Sequence, residues 1–503
     1  MICTASASAQ SNYVAFQLDR DRNWEELVVE DMNGDGRMDL VVPYYDSALG
    51  RELHIYHQLD NNSFASTPQR IEVKTEIIAA GFADLRPDPG MELLFFANNG
   101  VFSLSTASTG YTGNIKQLIE WDMIAAVPEL DETQFIRNLK DIDGDGHVEL
   151  LLPGEKTYGV FRGLGDEQFQ LLTTFSTINT DVPPAMRNNY ETDLDARLSI
   201  NSEEGVVIEL SAETPSPFNN FIEQWSSADI PNRRLLRAEQ WMPGALFAQL
   251  NGDQRWDLVY QNMGIDGLGQ LNIHLQQQDG SFAEKPDWHG SIDARGDLRL
   301  AHLDGDGQLD LYRISGDGDE WEARFYRNTG GSFDLERPNQ VMRFSGYDLD
   351  LDFLSLVEGA PPFLNASFYT IPVIDAIRNA SINRTQLLYR GMGSEANELF
   401  SRRPDSRLEE NFSADNVRGL SEQMSLRYDV DGDGRRDALY ITNNGTLAAR
   451  RINDQLQIAL EPFWEYVSPR TVFEFDVLSL NGDDRPDLIL RHGSSTTILV
   501  ATP

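Results

Sequence analysis

Cysteine is nearly missing from this chain. Cys3 is the only one among 503 residues, so no disulfide within the chain can staple the fold. Basic residues are scarce: 41 Lys and Arg stand against 80 Asp and Glu, a formal net charge of -39. A field of that sign repels phosphate backbones and anionic lipid, so neither nucleic acid nor an anionic membrane surface is an expected partner. No run of about 18 apolar residues occurs, so no membrane insertion is expected. There is also no HExxH, GxSxG, phosphate-binding Walker loop or CxxC. The Gly264 run GIDGLG lacks dinucleotide-binding spacing, and the seven histidines form no ligand pattern. The sequence is therefore not expected to be an enzyme.

What the chain does have is enough apolar material for a core, at 40% hydrophobic and 10% aromatic. Its acidic excess has two compatible readings: a solvated acidic surface, or carboxylates gathered as ligands for divalent metal. At the N-terminus, Ala7-Ser8-Ala9 looks like the small-residue end of a signal peptide, although no basic or apolar region precedes it. Residues 1–10 are read as a leader remnant, with a chance match as the alternative.

One pattern recurs. Residues 25–42 read EELVVEDMNGDGRMDLVV: an apolar run, an acidic glycine-rich turn, then a second apolar run. Related turns begin at Asp84, Asp141, Gln249, His302, Asp429 and Ser479. Their central acids are Asp35, Asp88, Asp145, Asp253, Asp306, Asp433 and Asp483, spaced by 53, 57, 108, 53, 127 and 50 residues. Three or four short strands every fifty or so residues is the period of a propeller blade. The expected fold is all-β: a β-propeller of seven or eight four-stranded blades over residues 11–503, with up to nine units countable. The 108-residue interval predicts an extra, loopless unit near Leu198–Leu210. The 127-residue interval predicts another near Tyr347–Val357, followed by an enlarged insertion at about 359–423. In that insertion the stretch after Pro372 has helical spacing, and the stretch from Asn397 reads as a long surface loop. The run Tyr13–Leu18 would close the ring by adding a fourth strand to the last blade.

The loop chemistry points to calcium. In the first copy, side-chain oxygens fall at positions 1, 3 and 5 (Asp31, Asn33, Asp35). The Arg37 carbonyl stands at position 7 and Asp39 at position 9. Calcium takes six to eight hard oxygens at flexible geometry, and the glycines at positions 4 and 6 allow the turn that gathers them. The copy at Asp141, Asp143, Asp145, His147 and Glu149 is complete, as is that at Asp429, Asp431, Asp433, Arg435 and Asp437. Three copies are expected to bind more weakly. One keeps Asn251, Asp253, Arg255 and Asp257. One keeps Asp304, Asp306, Gln308 and Asp310, with His302 at position 1. One keeps Asn481, Asp483, Arg485 and Asp487. In the Asp84 copy, Arg86 at position 3 is expected to neutralise Asp84, Asp88 and Glu92 and exclude a metal.

The start of each loop is like that of an EF-hand, but no Glu follows at position 12 and the flanks read as strands. The arrangement resembles the FG-GAP or VCBS-type repeats of integrin α-subunit propellers and many bacterial surface proteins, over most of the chain. The resemblance implies several Ca2+ ions at hairpin tips. The functional expectation is an exported binding or adhesion module, secreted, periplasmic or at the cell surface, for a protein or glycan partner. One alternative is a carbohydrate-active, polysaccharide lyase-like propeller using Tyr44, Tyr45, Arg51 and His54, with Trp241, Trp256, Trp288 or Trp321 stacking on sugar. Another is a structural subunit of a surface assembly, contacting its neighbours through the 359–423 segment.

Overall fold

The computed structural model describes residues 13–19, 27–175, 198–200 and 245–502, other than 88, 107–109, 112–114, 124–127, 129, 137–138, 140, 155–156, 254, 264–267, 294–296, 372–380, 414–423, 443–444 and 484. These residues hold 33 strands and no helix, in eight sheets.

Each sheet is an up-and-down meander. Blade 1 is Val28–Glu30, Asp39–Asp46, Gly50–Tyr56 and Gln69–Val73. Blade 2 is Ile77–Ala83, Glu92–Ala97, Gly100–Thr106 and Lys116–Glu120, and blade 3 is Leu150–Gly154, Thr157–Gly163 and Phe169–Phe175. Blade 4 is Ala245–Ala248, Asp257–Met263, Leu268–His274 and Trp288–Asp293. Blade 5 is Asp297–Ala301, Asp310–Asp317, Glu320–Tyr326 and Gln340–Ser345. Blade 6 is Tyr347–Leu354, Phe363–Thr370, Ser381–Tyr389 and Ser406–Ser413. Blade 7 is Ser425–Tyr428, Asp437–Ile441, Leu447–Arg451 and Trp464–Tyr466. Blade 8 is Glu474–Leu478, Asp487–His492 and Ser495–Ala501, completed by Tyr13–Asp19. That N-terminal strand runs antiparallel to the last one, Tyr13 opposite Ala501 and Asp19 opposite Ser495, so the two ends of the chain share a blade.

The blades close a ring because each second strand is apolar on both faces. ELLFFA in blade 2 and DALYI in blade 7 are buried at every residue. Such a strand must be covered on both sides, and a neighbouring blade on each side does so. The buried clusters trace the circuit. Leu53 and Ile55 meet Leu93 and Phe95 between blades 1 and 2. A cluster holding Phe96, Leu151, Phe161 and Phe247 spans blades 2, 3 and 4. Ile273 meets Leu300, Phe325 meets Leu364, Leu388 meets Leu426, and Leu447 meets Leu499, carrying the core through blade 8. Ile498 and Val500 then meet Leu40 and Val42 of blade 1. The connections between third and fourth strands add wedges: Phe64, Phe333 and Phe400 each sit in the core shared with the preceding blade.

The strand count is less uniform than expected. Five sheets have four strands, two have five and one has three. Gln134–Ile136, which leads into the loop of blade 3, pairs parallel with Ile77–Ala83 of blade 2 instead of with its own blade. Leu198–Ile200 pairs parallel with blade 5, Leu198 opposite Leu298. The unit expected near Leu198–Leu210 is not a blade between blades 3 and 4, because those two pack directly: the Phe175 and Tyr260 rings stack at 4.6 Å. Residues 201–210 lie outside the described residues.

The segment at about 359–423 is the larger correction. Three of the four strands of blade 6 lie within it, and the stretch read as a surface loop contributes Ser406–Ser413, paired along its length with Ser381–Tyr389. Blade 6 has no acidic turn between its first two strands, so the marker that revealed the other blades was missing. The helical spacing after Pro372 lies outside the described residues.

Candidate metal centre

Seven acidic turns occupy one structural position, between the first and second strands of a blade or, in blade 3, just before its first strand. In three of them the geometry starts with an aspartate at position 1 that accepts loop N–H groups. Asp31 accepts the backbone N–H groups of Gly34 at 2.8 Å, Asp35 at 3.1 Å and Gly36 at 2.7 Å. Asp141 does the same for Gly144, Asp145 and Gly146, and Asp429 for Gly432, Asp433 and Gly434. The loop thus wraps its own backbone around one carboxylate. Gly34 and Gly36 stand at φ 73° and 83°, a region that side chains disfavour, which explains glycine at positions 4 and 6.

Positions 3 and 5 point one oxygen inward and the other out. Asp143 Oδ1 accepts the Asp145 N–H at 3.2 Å, and Asp145 Oδ1 accepts the His147 N–H at 3.0 Å. Their Oδ2 atoms face Arg162.

Position 9 does something the spacing did not disclose. Asp39, Glu92, Glu149, Asp257, Asp310, Asp437 and Asp487 are all buried. Glu149 accepts the N–H of Ile142, at position 2, at 2.8 Å, and that of Gly163, at the end of the next strand, at 3.2 Å. Asp257 does the same with Leu250 and Gln276, Asp310 with Leu303 and Asn328, and Asp487 with Leu480 and Ala501. The position-9 acid is thus a latch that ties its loop to the far strand of the hairpin. Glu92 accepts the Leu85 N–H in the same way, in a loop whose position 3 is arginine, so the latch works without the rest of the ligand set. Burial pushes Glu149 and Asp310 up to about 8, and Asp257, Asp437 and Asp487 up to about 6, against the backbone N–H bonds that lower them. Neighbouring loop carboxylates add to the rise, which a cation would reverse.

The loops then separate. Asp141, Asp143 and Glu149 bring carboxylate oxygens within 4.8 Å of one another, and so do Asp429, Asp431 and Asp437. These are the two carboxylate-only copies. In the Asp31 loop, Asn33 Oδ1 accepts the Asp35 N–H at 2.9 Å, while Asp35 pairs with Arg37 at 2.7 Å. His57 Nδ1 lies 2.8 Å from Asp39, and this hydrogen bond raises the imidazole above its ordinary value although burial opposes the rise.

The three variant copies are closed internally. In blade 5, His302 Nδ1 lies 3.0 Å from the Gln308 carbonyl, so the oxygen expected at position 7 is engaged, and Asp304 pairs with Arg327 at 3.0 Å. In blade 4, the Asn251 amide donates to Asp253 at 3.0 Å, and Arg255 pairs with the same carboxylate. In blade 8, the Asn481 amide donates to Asp483 at 3.0 Å, and Arg485 donates to the Thr502 carbonyl at 2.5 Å. Gln254 and Asp484, the position-6 substitutions, lie outside the described residues. In blade 2, Arg86 sits 3.9 Å from Glu92 but pairs at 2.7 Å with Glu167, which reaches over from blade 3 and also meets Lys116 at 2.9 Å. Arg86 is therefore a tie between blades more than a cap on its own loop. Asp88 lies outside the described residues.

Tyr44, Tyr45, Arg51 and His54, named for the lyase-like alternative, lie on two paired strands of blade 1, with Tyr45 opposite Arg51. Arg51 is buried and donates to the carbonyls of Glu132, Lys74 and Ile77. His54 stacks on Tyr44 at 4.4 Å and bonds Glu52. Trp288 and Trp321 pack at blade interfaces, and Trp256 packs on the core shared by blades 2 to 4. Trp241 lies outside the described residues.

Sequence reasoning passed over Glu167 and three arginines at or just past the end of the strand that follows the second side of the acidic hairpin: Arg162, Arg327 and Arg451. The signal for the arginines was present. Each closes its strand just before a turn, in VFRGLG, FYRNTG and ARRIND.

No protein-family model and no curated protein matches the chain. Among solved structures, it is similar to an Agrocybe aegerita lectin that recognises non-reducing terminal N-acetylglucosamine. The identity is 14% and the TM-score 0.39, over 79% of this chain and 86% of that one. It is similar to the Dos1 propeller at 11% identity and TM-score 0.40, over 97% and 95% of the two chains. It is also similar to the Photorhabdus luminescens Tc holotoxin pore at 13% identity and TM-score 0.31, over 92% of this chain and 17% of that one. Similarity at this level carries no argument about function, and the eight-bladed ring rests on its own strand pairing and core.

Proposed function

We propose that this protein is a calcium-stabilised propeller that works outside the cytosol as a binding or adhesion module for a protein or glycan. The observation that carries the calcium reading is the convergence of three carboxylates within 4.8 Å in each of two loops. Each of these loops already folds its backbone around Asp141 or Asp429. Like charges held that close repel one another, and a hard divalent cation converts the repulsion into binding. Cytosolic calcium is too scarce to fill loops of ordinary strength, so an exported location follows from the same reading. The ring supplies a rigid frame, and the loops supply its ion dependence.

Calorimetric titration of the chelator-stripped chain with calcium tests the ion. Binding accompanied by a rise in melting temperature supports the reading; no heat and no shift refutes it. A glycan and protein panel, scored for binding and for ultraviolet-absorbing cleavage product, tests the role. Product formation would favour the lyase alternative. The surface-assembly alternative placed its contact on the 359–423 segment. Removing that segment takes out three strands of blade 6, so its deletion tests the ring and not an appendage.

A further inference from the structure

The acidic loops carry their own cations. In blade 3, Arg162 Nη2 lies 2.6 Å from Asp143 Oδ2 and 3.1 Å from Asp145 Oδ2. In blade 7, Arg451 Nη2 lies 2.5 Å from Asp431 Oδ2, and its Nη1 lies 3.9 Å from Asp433 Oδ2. In blade 5, Arg327 Nε lies 3.0 Å from Asp304 Oδ2. All three arginines hold one structural position. Arg162 and Arg327 each precede the residue whose N–H closes the latch, Gly163 and Asn328, and Arg451 ends the corresponding strand of blade 7.

The atoms involved are the telling part. In blades 3 and 7 position 1 accepts three loop N–H groups, in blade 5 it is His302, and in all three position 9 accepts the N–H of position 2. At position 3 of blades 3 and 5, Oδ1 is taken by the backbone as well. What remains is Oδ2 at positions 3 and 5, and there the guanidinium binds. These are also the oxygens that a metal ion would take.

We propose that Arg162 and Arg451 are built-in counter-ions that neutralise their loops when no metal is bound and that calcium must displace, whereas Arg327 is the same device locked in place. This rests on the calcium reading above. The three differ in freedom. The Arg451 side chain is 59% exposed, with its guanidinium over the Phe463 ring at 4.9 Å, so solvent is open to it once it leaves the carboxylates. Arg162 is 29% exposed. Arg327 is 19% exposed and also donates to the carbonyls of Ala396 at 2.5 Å and Gly393 at 3.1 Å, which ties blade 5 to the turn of blade 6. Withdrawing it would unpair both carbonyls, so loop 5 stays shut to metal. The arginine position thus ranks the loops, blade 7 opening most readily and blade 5 least.

The test is calcium titration of the full chain by calorimetry, with melts in EDTA alongside, on wild type, Arg451→Met, Arg327→Met and Arg390→Met. Arg390 is the control. Its replacement removes the same charge close to the same blade, but its guanidinium pairs with Asp405 at 3.4 Å and reaches the Asp454 carbonyl, outside the ligand set. Arg451→Met should tighten one site by roughly three- to ten-fold, the size of an exposed ion pair plus relief of charge repulsion. It should also lower the melt in EDTA by roughly 1–2 °C. Arg390→Met should change that affinity less than two-fold. Arg327→Met should lower the melt in EDTA and in calcium alike. Calcium uptake by wild type with the same affinity in Arg451→Met overturns the displacement and leaves the calcium reading standing. No uptake by wild type overturns both. Equal tightening in Arg451→Met and Arg390→Met reduces the effect to bulk charge and also overturns it.

Discussion

Blades 5 and 7 carry nearly the same loop and use it differently. In blade 7, Asp429 gathers three backbone N–H groups, and Asp431 and Asp437 close on it within 4.8 Å. In blade 5 the first residue is His302, whose ring engages the Gln308 carbonyl, and Asp304 is held by an arginine that two further carbonyls keep in place. Both loops retain the buried acid at position 9, accepting the N–H of position 2. The difference separates two jobs that sequence spacing merges. The acid at position 9 holds the hairpin together in either case, while positions 1, 3 and 5 decide whether the loop has room for an ion.

The largest expected effect attacks what the two loops share. Asp310→Ala removes the acceptor for the Leu303 and Asn328 N–H groups, both buried, and should cost roughly 2–5 kcal/mol. Denaturant melts in EDTA and in calcium should show the same loss. A loss that appears only in calcium would make Asp310 a ligand and not a latch.

The next effect attacks what they do not share. Asp429→Ala should remove one calorimetric calcium site, together with about 2.7 kcal/mol of calcium-dependent stability at a hundred-fold excess over Kd. His302→Asp, which restores position 1 in blade 5, should add no comparable site while Arg327 remains. Addition of a strong site by that single change would show that His302 alone shuts the loop.

A smaller effect concerns pH. Glu149 and Asp310 stand at about 8 through burial. A folded value raised above the unfolded one gives stability that is complete below the ordinary carboxylate range and is lost as pH rises through about 8. In EDTA the melting temperature should therefore fall between pH 6 and 9. On the proposed reading calcium would hold Glu149 ionised without reaching Asp310, and it should then reduce the fall without abolishing it. A calcium-independent slope over this range contradicts the division between the loops.

The smallest effect lies in blade 2, where the ligand set has been exchanged for an ion pair. Burial alone would raise Glu167, but hydrogen bonds from Arg86, Ser103 and Lys116 outweigh it and bring it below its ordinary value. Its contribution is complete above about pH 4.5 and is lost as pH falls further. Arg86→Gln should cost roughly 1–2 kcal/mol at pH 7, with little difference from wild type once Glu167 is protonated. A constant difference down to the acid limit would assign the loss to packing.

The sequence made the ring legible where chemistry repeats. The acidic turns located seven of the eight blades, and Tyr13–Leu18 was readable as the closing strand because the last unit was one strand short. Blade 6 was readable only in part: the 127-residue interval placed a loopless unit near Tyr347–Val357, where its first strand lies, but its turn, SLVEGAPP, has no acid pattern, so strands such as Phe363–Thr370 and Ser406–Ser413 looked like insertion. The side-chain oxygens at alternate loop positions were legible. The latch was not, since its partners Gly163, Asn328 and Ala501 lie 14 to 18 residues further on and contribute backbone groups of no particular residue type. Arg162, Arg327 and Arg451 share a sequence signal just before a turn, but their common place appears only when the strand ends are aligned, a register that the strand pairing defines.

The most direct test of the account is the number of calcium ions that the full chain holds, counted by native mass spectrometry and elemental analysis after dialysis against calcium. Loops 3 and 7 gather three carboxylates each, and the Asp31 loop completes its set with Asn33, whereas the other four are closed by His302, asparagine–aspartate pairs or Arg86. The account predicts roughly two to three ions per chain, lost one at a time on replacing Asp141 and Asp429 by alanine. A chain that holds none, or one that fills six or seven loops alike, would contradict it.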